Sequence, residues 1–213
     1  MPPPTRFTKK SVLSAAFDLV RRKGLGGLTV RHVAKTLGSS TAPVYSAFGS
    51  MDQLEREVIA LAHGRLLEHT ARSFTELVFL NMGVGICVFA REEPWLFRAL
   101  FLESVHIKAN IKKLLDTLVK EMRRIPAFAE MPRKARMALL TTMWTYTHGL
   151  AIMICLGVSE DSGEAFIIQS LTGVGRVVIE AALEEHELTK SSRKTSPARK
   201  HKESSRGKFK ASH

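Results

Sequence analysis

Apolar residues recur at helical spacing along most of the chain, and the strict alternation expected of half-buried strands is absent. Val12, Ala15, Ala16, Leu19 and Val20 form one face of an amphipathic helix that Gly24 ends. Val30, Val33, Ala34 and Leu37 form the inner face of a second, short helix. Thr29 is placed to N-cap it, and Gly38 to close it in a left-handed turn. Ser39, Ser40 or Thr41 can cap a third helix, with Pro43 tolerated in its first turn and Val44 facing inward. Tyr45 and Phe48 follow, and Ser50 opens a fourth helix. Further along, the pattern predicts helices over 50–80, 82–92, 94–106, 108–124, 133–157 and 161–187, which makes nine. Pro94, Pro126 and Pro132 punctuate these segments without interrupting them. The expected architecture is all-α: a three-helix unit over 1–50, a larger helical domain over 51–188, and a tail over 189–213.

A short helix, a Gly turn and a second helix with small polar residues at its front is how a helix-turn-helix enters the major groove. The flanks sharpen that reading. Ala15-Ala16, Gly24, Leu28-Thr29-Val30, Val33-Ala34, Leu37-Gly38, Val44-Tyr45, Phe48, Ser50 and Leu54 follow one another in a characteristic order. Over residues 8–56 this run closely resembles the DNA-binding domain of the tetracycline-repressor (TetR) family. The resemblance implies a transcriptional regulator, typically a repressor, that binds a palindromic double-stranded DNA operator as a homodimer. One position departs from the family pattern: Met51 stands where a phosphate-touching Lys is usual.

On this reading Ser39, Ser40, Thr41, Ala42, Pro43, Tyr45 and Ser46 face the major groove. They offer hydroxyls and methyls in place of the forked groups that read bases bidentately, so DNA shape carries part of the specificity. The family pattern makes Tyr45 a phosphate contact. Thr29 and Arg31 sit at a helix front, where phosphate is favoured. Lys9, with Arg6 and Lys10, can follow the adjacent backbone or minor groove.

Charge agrees with this picture. The chain carries +12 overall, concentrated at its two ends, and the stretch between them is mildly acidic. A basic domain attracts phosphate and releases counterions, so its DNA binding weakens with salt. The tail is rich in Lys, Arg, Ser and Pro, with Phe209 its single aromatic, and is expected to be disordered. It either extends the phosphate contacts or serves as a solubilising extension.

The helices over 133–157 and 161–187 are nearly all-apolar and carry small-residue faces, Thr142, Thr145 and Gly149 on one and Ser170, Gly173 and Val177 on the other. Such faces suit close packing against a second copy of the chain as a four-helix bundle, or the core of a monomer. The family resemblance favours the dimer. Residues 143–151 also resemble a "W...HGl" pattern frequent in the penultimate helix of that family, which sets Trp144 and His148 one turn apart. An effector cavity is a further implication of the resemblance. Phe79, Met82, Phe89, Phe97, Phe101, Met122 and Trp144 are its candidate apolar lining, with Thr141 and His148 as placed polar groups and Asn81, Asn110 and His106 in reserve. The effector would be a small, largely apolar molecule.

Other chemistries find little support. The eight histidines share no metal-type spacing with a Cys or carboxylate, and no nucleophile elbow or phosphate-cradling loop is present, so no metal, cofactor or catalytic residue is expected. Cys87 and Cys155 lie among apolar neighbours and read as buried free thiols, the alternative being a redox pair. The start of the chain lacks a secretory signal, and the most apolar run, 149–158, is shorter than a bilayer span of about 20 residues. A cytoplasmic protein without a membrane segment is expected. Two rival readings stay open: a regulator whose second domain only dimerises, and a helical binding protein without operator recognition.

Overall fold

The computed structural model describes residues 7–195, all helix and connection with no strand among them. Its helices are α1 (Lys9–Lys23), α2 (Val30–Leu37), α3 (Ala42–Ala47), α4 (Met51–Thr70), α5 (Val78–Glu92), α6 (Pro94–Arg98), α7 (Ile107–Glu121), α8 (Pro126–Ala129), α9 (Arg133–Cys155) and α10 (Glu164–Thr195). A π-helical segment, Ala99–Glu103, continues α6.

Local chemistry sets the first elements. Thr8 and Ser11 form a reciprocal capping box at the start of α1. The Thr29 hydroxyl accepts from the His32 N–H at 3.2 Å, and Gly38 ends α2 at φ 62°, a conformation that a side chain would disfavour. Thr41 occupies the N-cap position of α3, but its side chain makes no capping bond; Ser39 donates to the Ser40 carbonyl instead. Ser50 caps α4 through the Gln53 N–H. Val12, Ala16, Val20, Val33, Val44, Phe48 and Leu54 meet in the interior of this unit.

The helix expected over 50–80 stops at Thr70. Asn81 organises the connection that follows: its side-chain oxygen accepts from the Phe74 and Thr75 N–H groups, and its amide donates to the Thr75 carbonyl. The chain can then fold back, so that α5 crosses the end of α4 at Gly85. A Cβ there would lie 2.3 Å from the His69 carbonyl oxygen, which makes glycine a requirement of the crossing. α5 is the central helix of the body, enclosed by α4, α9 and α10.

The segment expected over 94–106 divides into α6 and the π segment, and Asn110 satisfies the Leu100 carbonyl there at 2.9 Å. α10 runs beyond its expected end at 187 as far as Thr195, so the expected disorder from 189 onward is corrected for 189–195. Its extension is helix-compatible, with Glu187 and Lys190 4.0 Å apart one turn on. Residues 196–213, the rest of the basic tail, lie outside the described residues, as does Arg6.

The expectation that no apolar stretch is long enough to span a bilayer is also corrected. By length and composition alone, α9 and residues Glu164–Ser191 of α10 each hold an 18-residue stretch that passes that test, with mean hydropathies of 1.2 and 1.5. The longest unbroken apolar run does not reveal this, because isolated polar residues divide each stretch while its average stays apolar. Partial burial in the helical body accounts for part of this apolarity in α9, where 44% of the window is buried; in α10 only 17% is.

Candidate functional site

Two regions of the molecule are candidate sites. The first is the outer side of α2 and α3. Thr29, Arg31, Ser40, Ala42, Tyr45 and Ser46 are exposed, and Ser39, Thr41 and Pro43 are half-buried around them. Tyr45 stands 62% exposed beside fully inward Val44, so the helix holds its ring outward by packing its opposite face. Arg31 and Lys35 make no ion pair among the described residues, which leaves both cations available to phosphate. Lys9 is different. It reaches Glu57 of α4 at 2.5 Å and lies 5.0 Å from the centroid of the Phe48 ring, so it ties α1 to α4 at the edge of this surface. Met51 packs against the core and offers no polar group in this region.

The second is a cavity of about 750 Å³ between α5, the end of α7, α8, α9 and α10. Phe79, Met82, Ile86, Leu140, Trp144 and Leu171 are among its apolar walls. Its charged groups, Glu76, Glu121, Arg124, Arg176 and Glu180, lie toward solvent, and Glu121 is already paired with Arg124 at 2.6 Å.

Of the residues proposed from the sequence, Phe79, Met82 and Trp144 line this space. Phe89, Phe97, Phe101 and Met122 are core residues that do not reach it. Thr141 lies on the opposite, exposed side of α9, its hydroxyl donating to the Met137 carbonyl. His148 stands behind the wall, stacked on Trp144 with ring centroids 4.5 Å apart, and burial lowers its pKa. Asn81 and Asn110 are spent on backbone groups, and His106 sits at the α7 end near Asp52.

Thr147, which the sequence reading passed over, lines the cavity and is 3% exposed. A signal for it existed: Leu140, Met143, Trp144 and Thr147 fall at i, i+3, i+4 and i+7, one face of a helix. Both thiols are free. Burial pushes Cys87 up to about 12 and also raises Cys155, so neither is activated for redox chemistry.

The cavity and the N-terminal unit are joined by packed groups. Phe101 lies 5.4 Å from Trp144 and 5.1 Å from Phe97, ring centroid to ring centroid. Next to them, Glu93, only 4% exposed, holds Arg21 of α1 through two bonds of 2.6 Å, and Arg65 of α4 stands 3.6 Å away. Glu103 accepts from the Leu25 N–H at 3.3 Å, and Trp95 covers Gly24 closely.

Residues 12–58 match the family model of the bacterial regulatory proteins of the tetR family. No curated protein sequence matches the chain. A transcriptional regulator of Rhodococcus sp. Rha1 superposes over 84% of this chain and 97% of its own length, with a TM-score of 0.55 at 16% identity. A TetR-like transcriptional regulator from Rhodococcus sp. RHA1 does so over 82% and 98%, with a TM-score of 0.56 and 16% identity. At that identity the likeness is one of fold. The N-terminal unit is therefore a helix-turn-helix of the kind found in the bacterial regulatory proteins of the tetR family, with Tyr45 of α3 turned outward.

Proposed function

We propose that the protein is a homodimeric transcriptional repressor that holds a palindromic operator through α3 and is released by a small, largely apolar effector. The observation that carries this reading is the pairing of an exposed recognition helix with a ligand-sized apolar cavity in one chain. Cavities of about 300–1,000 Å³ are the usual size for small-molecule sites. The cavity therefore favours an effector-responsive regulator over one whose second domain only dimerises.

Dimerisation rests on the outer faces of α9 and α10. Tyr146, Met153, Leu156 and Val177 are exposed there, beside a shallow groove floored by Gly149 and Thr145. A two-fold pairing of these faces would cover apolar surface that a lone chain leaves in water, and would present two α3 helices to successive half-sites about 34 Å apart. It would also account for the bilayer-like hydropathy of both helices without a membrane, in keeping with a soluble cytoplasmic regulator. The effector acts by its preference for a dimer whose α3 spacing misses the half-sites. The packed groups from Trp144 to Glu93 and Glu103 support a route for that coupling.

Selection from random duplexes at about 150 mM salt tests the proposal. Recovery of a two-fold symmetric site, bound by a particle of twice the chain mass, is the expected result. Recovery of sequence-blind, salt-sensitive binding alone would reject it. Tyr45→Ala then separates operator reading from general basicity: it should weaken the selected site about tenfold or more and leave non-specific binding nearly unchanged.

A further inference from the structure

On its α9 side the cavity is lined by a buried polar group that the fold leaves unused. α9 carries four threonines, and three of them, Thr141, Thr142 and Thr145, donate their hydroxyls to the carbonyl one turn earlier. That back-bond is the usual way for a helical threonine to satisfy itself. Thr147 does not make it. Its carbonyl accepts from the Cys87 thiol at 3.8 Å, but its hydroxyl has no partner among the described residues, although the residue is 97% buried and lines the cavity. The space in front of it is kept open by Gly83 of α5. A Cβ on Gly83 would stand 3.6 Å from the Thr147 Oγ1 and 3.2 Å from the Leu171 side chain. A hydroxyl that borders the cavity without a protein partner is free to bond a ligand that carries a complementary atom.

The rest of the enclosure limits what that ligand is. The charged side chains of the cavity, Glu121, Arg124, Arg176, Glu180 and Glu76, lie at its solvent edge, so no counter-charge stands beside Thr147. A charged group carried to that depth would lose its hydration without compensation. Phe79, Phe128 and Trp144 supply ring faces and edges to the remaining volume.

Resting on the reading of this cavity as the effector site, we infer that its effector is an uncharged ring compound with one hydroxyl or carbonyl oxygen, hydrogen-bonded by Thr147 as the specificity-determining residue. Ring body and oxygen divide the work. The body supplies affinity through apolar burial, and Thr147 selects the oxygen-bearing molecule from its hydrocarbon analogue, a discrimination that a purely apolar wall makes poorly.

The test uses 2-naphthol, its near-isostere 2-methylnaphthalene, and the anion 2-naphthoate, titrated into the full chain by calorimetry. Thr147→Val keeps the shape and removes the hydroxyl; Thr147→Ser keeps the hydroxyl. The expected result is that Thr147→Val weakens 2-naphthol about tenfold and leaves 2-methylnaphthalene within twofold, that Thr147→Ser retains 2-naphthol binding, and that 2-naphthoate is the weakest ligand of the parent protein. Equal changes for the two neutral ligands, or no change for either, would overturn the role of Thr147. Tighter binding of 2-naphthoate than of 2-naphthol would overturn the uncharged class. If no compound binds the parent chain, the effector cavity itself falls, a failure separate from a misassigned hydroxyl. A measurement on the unsubstituted protein gives the same decision without any variant: contacts between 2-naphthol ring protons and the Thr147 methyl group are expected in nuclear Overhauser spectra, and a bound ring without them rejects the inference.

Discussion

Between α1 and α4 the interior is filled: Val12, Ala16, Val20, Val33 and Leu54 are wholly buried, and Thr29, Arg31, Ser40, Tyr45 and Ser46 are exposed on the outer side of α2 and α3. Between α5, α9 and α10 the same kinds of side chain surround about 750 Å³ of open space. The two regions use one vocabulary, amphipathic helices with apolar faces, for opposite ends. The first holds a fixed surface toward a large, repetitive partner, and any looseness in its core would blur the position of Tyr45. The second leaves room for a small molecule and so gives up packing that a closed core would gain. On the proposed function, rigidity serves the end that meets DNA and space serves the end that takes the effector.

The strongest way to break this contrast is at the crossing of α4 and α5. Gly85→Val should destabilise the body by about 3 kcal/mol or more, since its side chain would overlap the His69 carbonyl. Urea unfolding read separately by far-ultraviolet circular dichroism and by tryptophan fluorescence would reveal it, as Trp95 and Trp144 both report on the body. A smaller loss, about 1–2 kcal/mol, is expected from Glu93→Ala. The carboxylate is buried, but Arg21 is 47% exposed and regains water, which reduces the loss. That variant should also unfold less cooperatively, because the joint between the two regions has been weakened.

A pH series sharpens the comparison within α4. Burial, with Lys113 nearby, lowers the pKa of His63 to about 4, against about 6.5 in the unfolded chain. The unfolded state therefore takes up a proton that the folded state refuses, and stability contributed by neutral His63 is present above pH 6.5 and lost as pH falls toward 4. His63→Leu should show a flatter fall over that window than the parent, and superimposable curves would count against it. The smallest effect is expected from Thr141→Val on the outer side of α9, which should alter neither the affinity for 2-naphthol nor stability by more than about 0.5 kcal/mol. A tenfold change in ligand affinity would place the polar contact on the wrong threonine.

How much of this could be read beforehand follows the same division. In the N-terminal unit the determinants are local: Thr29 caps, Gly38 turns, and Val33, Ala34 and Val44 mark the inner faces, so spacing alone predicts which side α3 shows. Lys9 escaped that logic because its partner Glu57 lies 48 residues away. In the body, apolar spacing predicted helices but could not tell a wall of the cavity from a core residue. Phe79 and Phe97 are the same residue type on helical apolar faces, yet one lines open space and the other is sealed behind Phe101. Thr141 and Thr147 differ only in which side of α9 they occupy, and a face assignment one position out exchanges their roles. The break after Thr70 depended on Asn81, whose capture of a preceding loop carries no periodic signature.

The contacts of Arg21 with Glu93, of the Leu25 N–H with Glu103, and of Gly24 with Trp95 bear on how such a protein can be recombined. A reading head borrowed from another regulator would bring its own capped helices and its own core. It would fit this body only if it also carried an arginine at the end of its first helix and a bare glycine behind it. Head and body thus fit as a matched pair through a joint of three residues on each side.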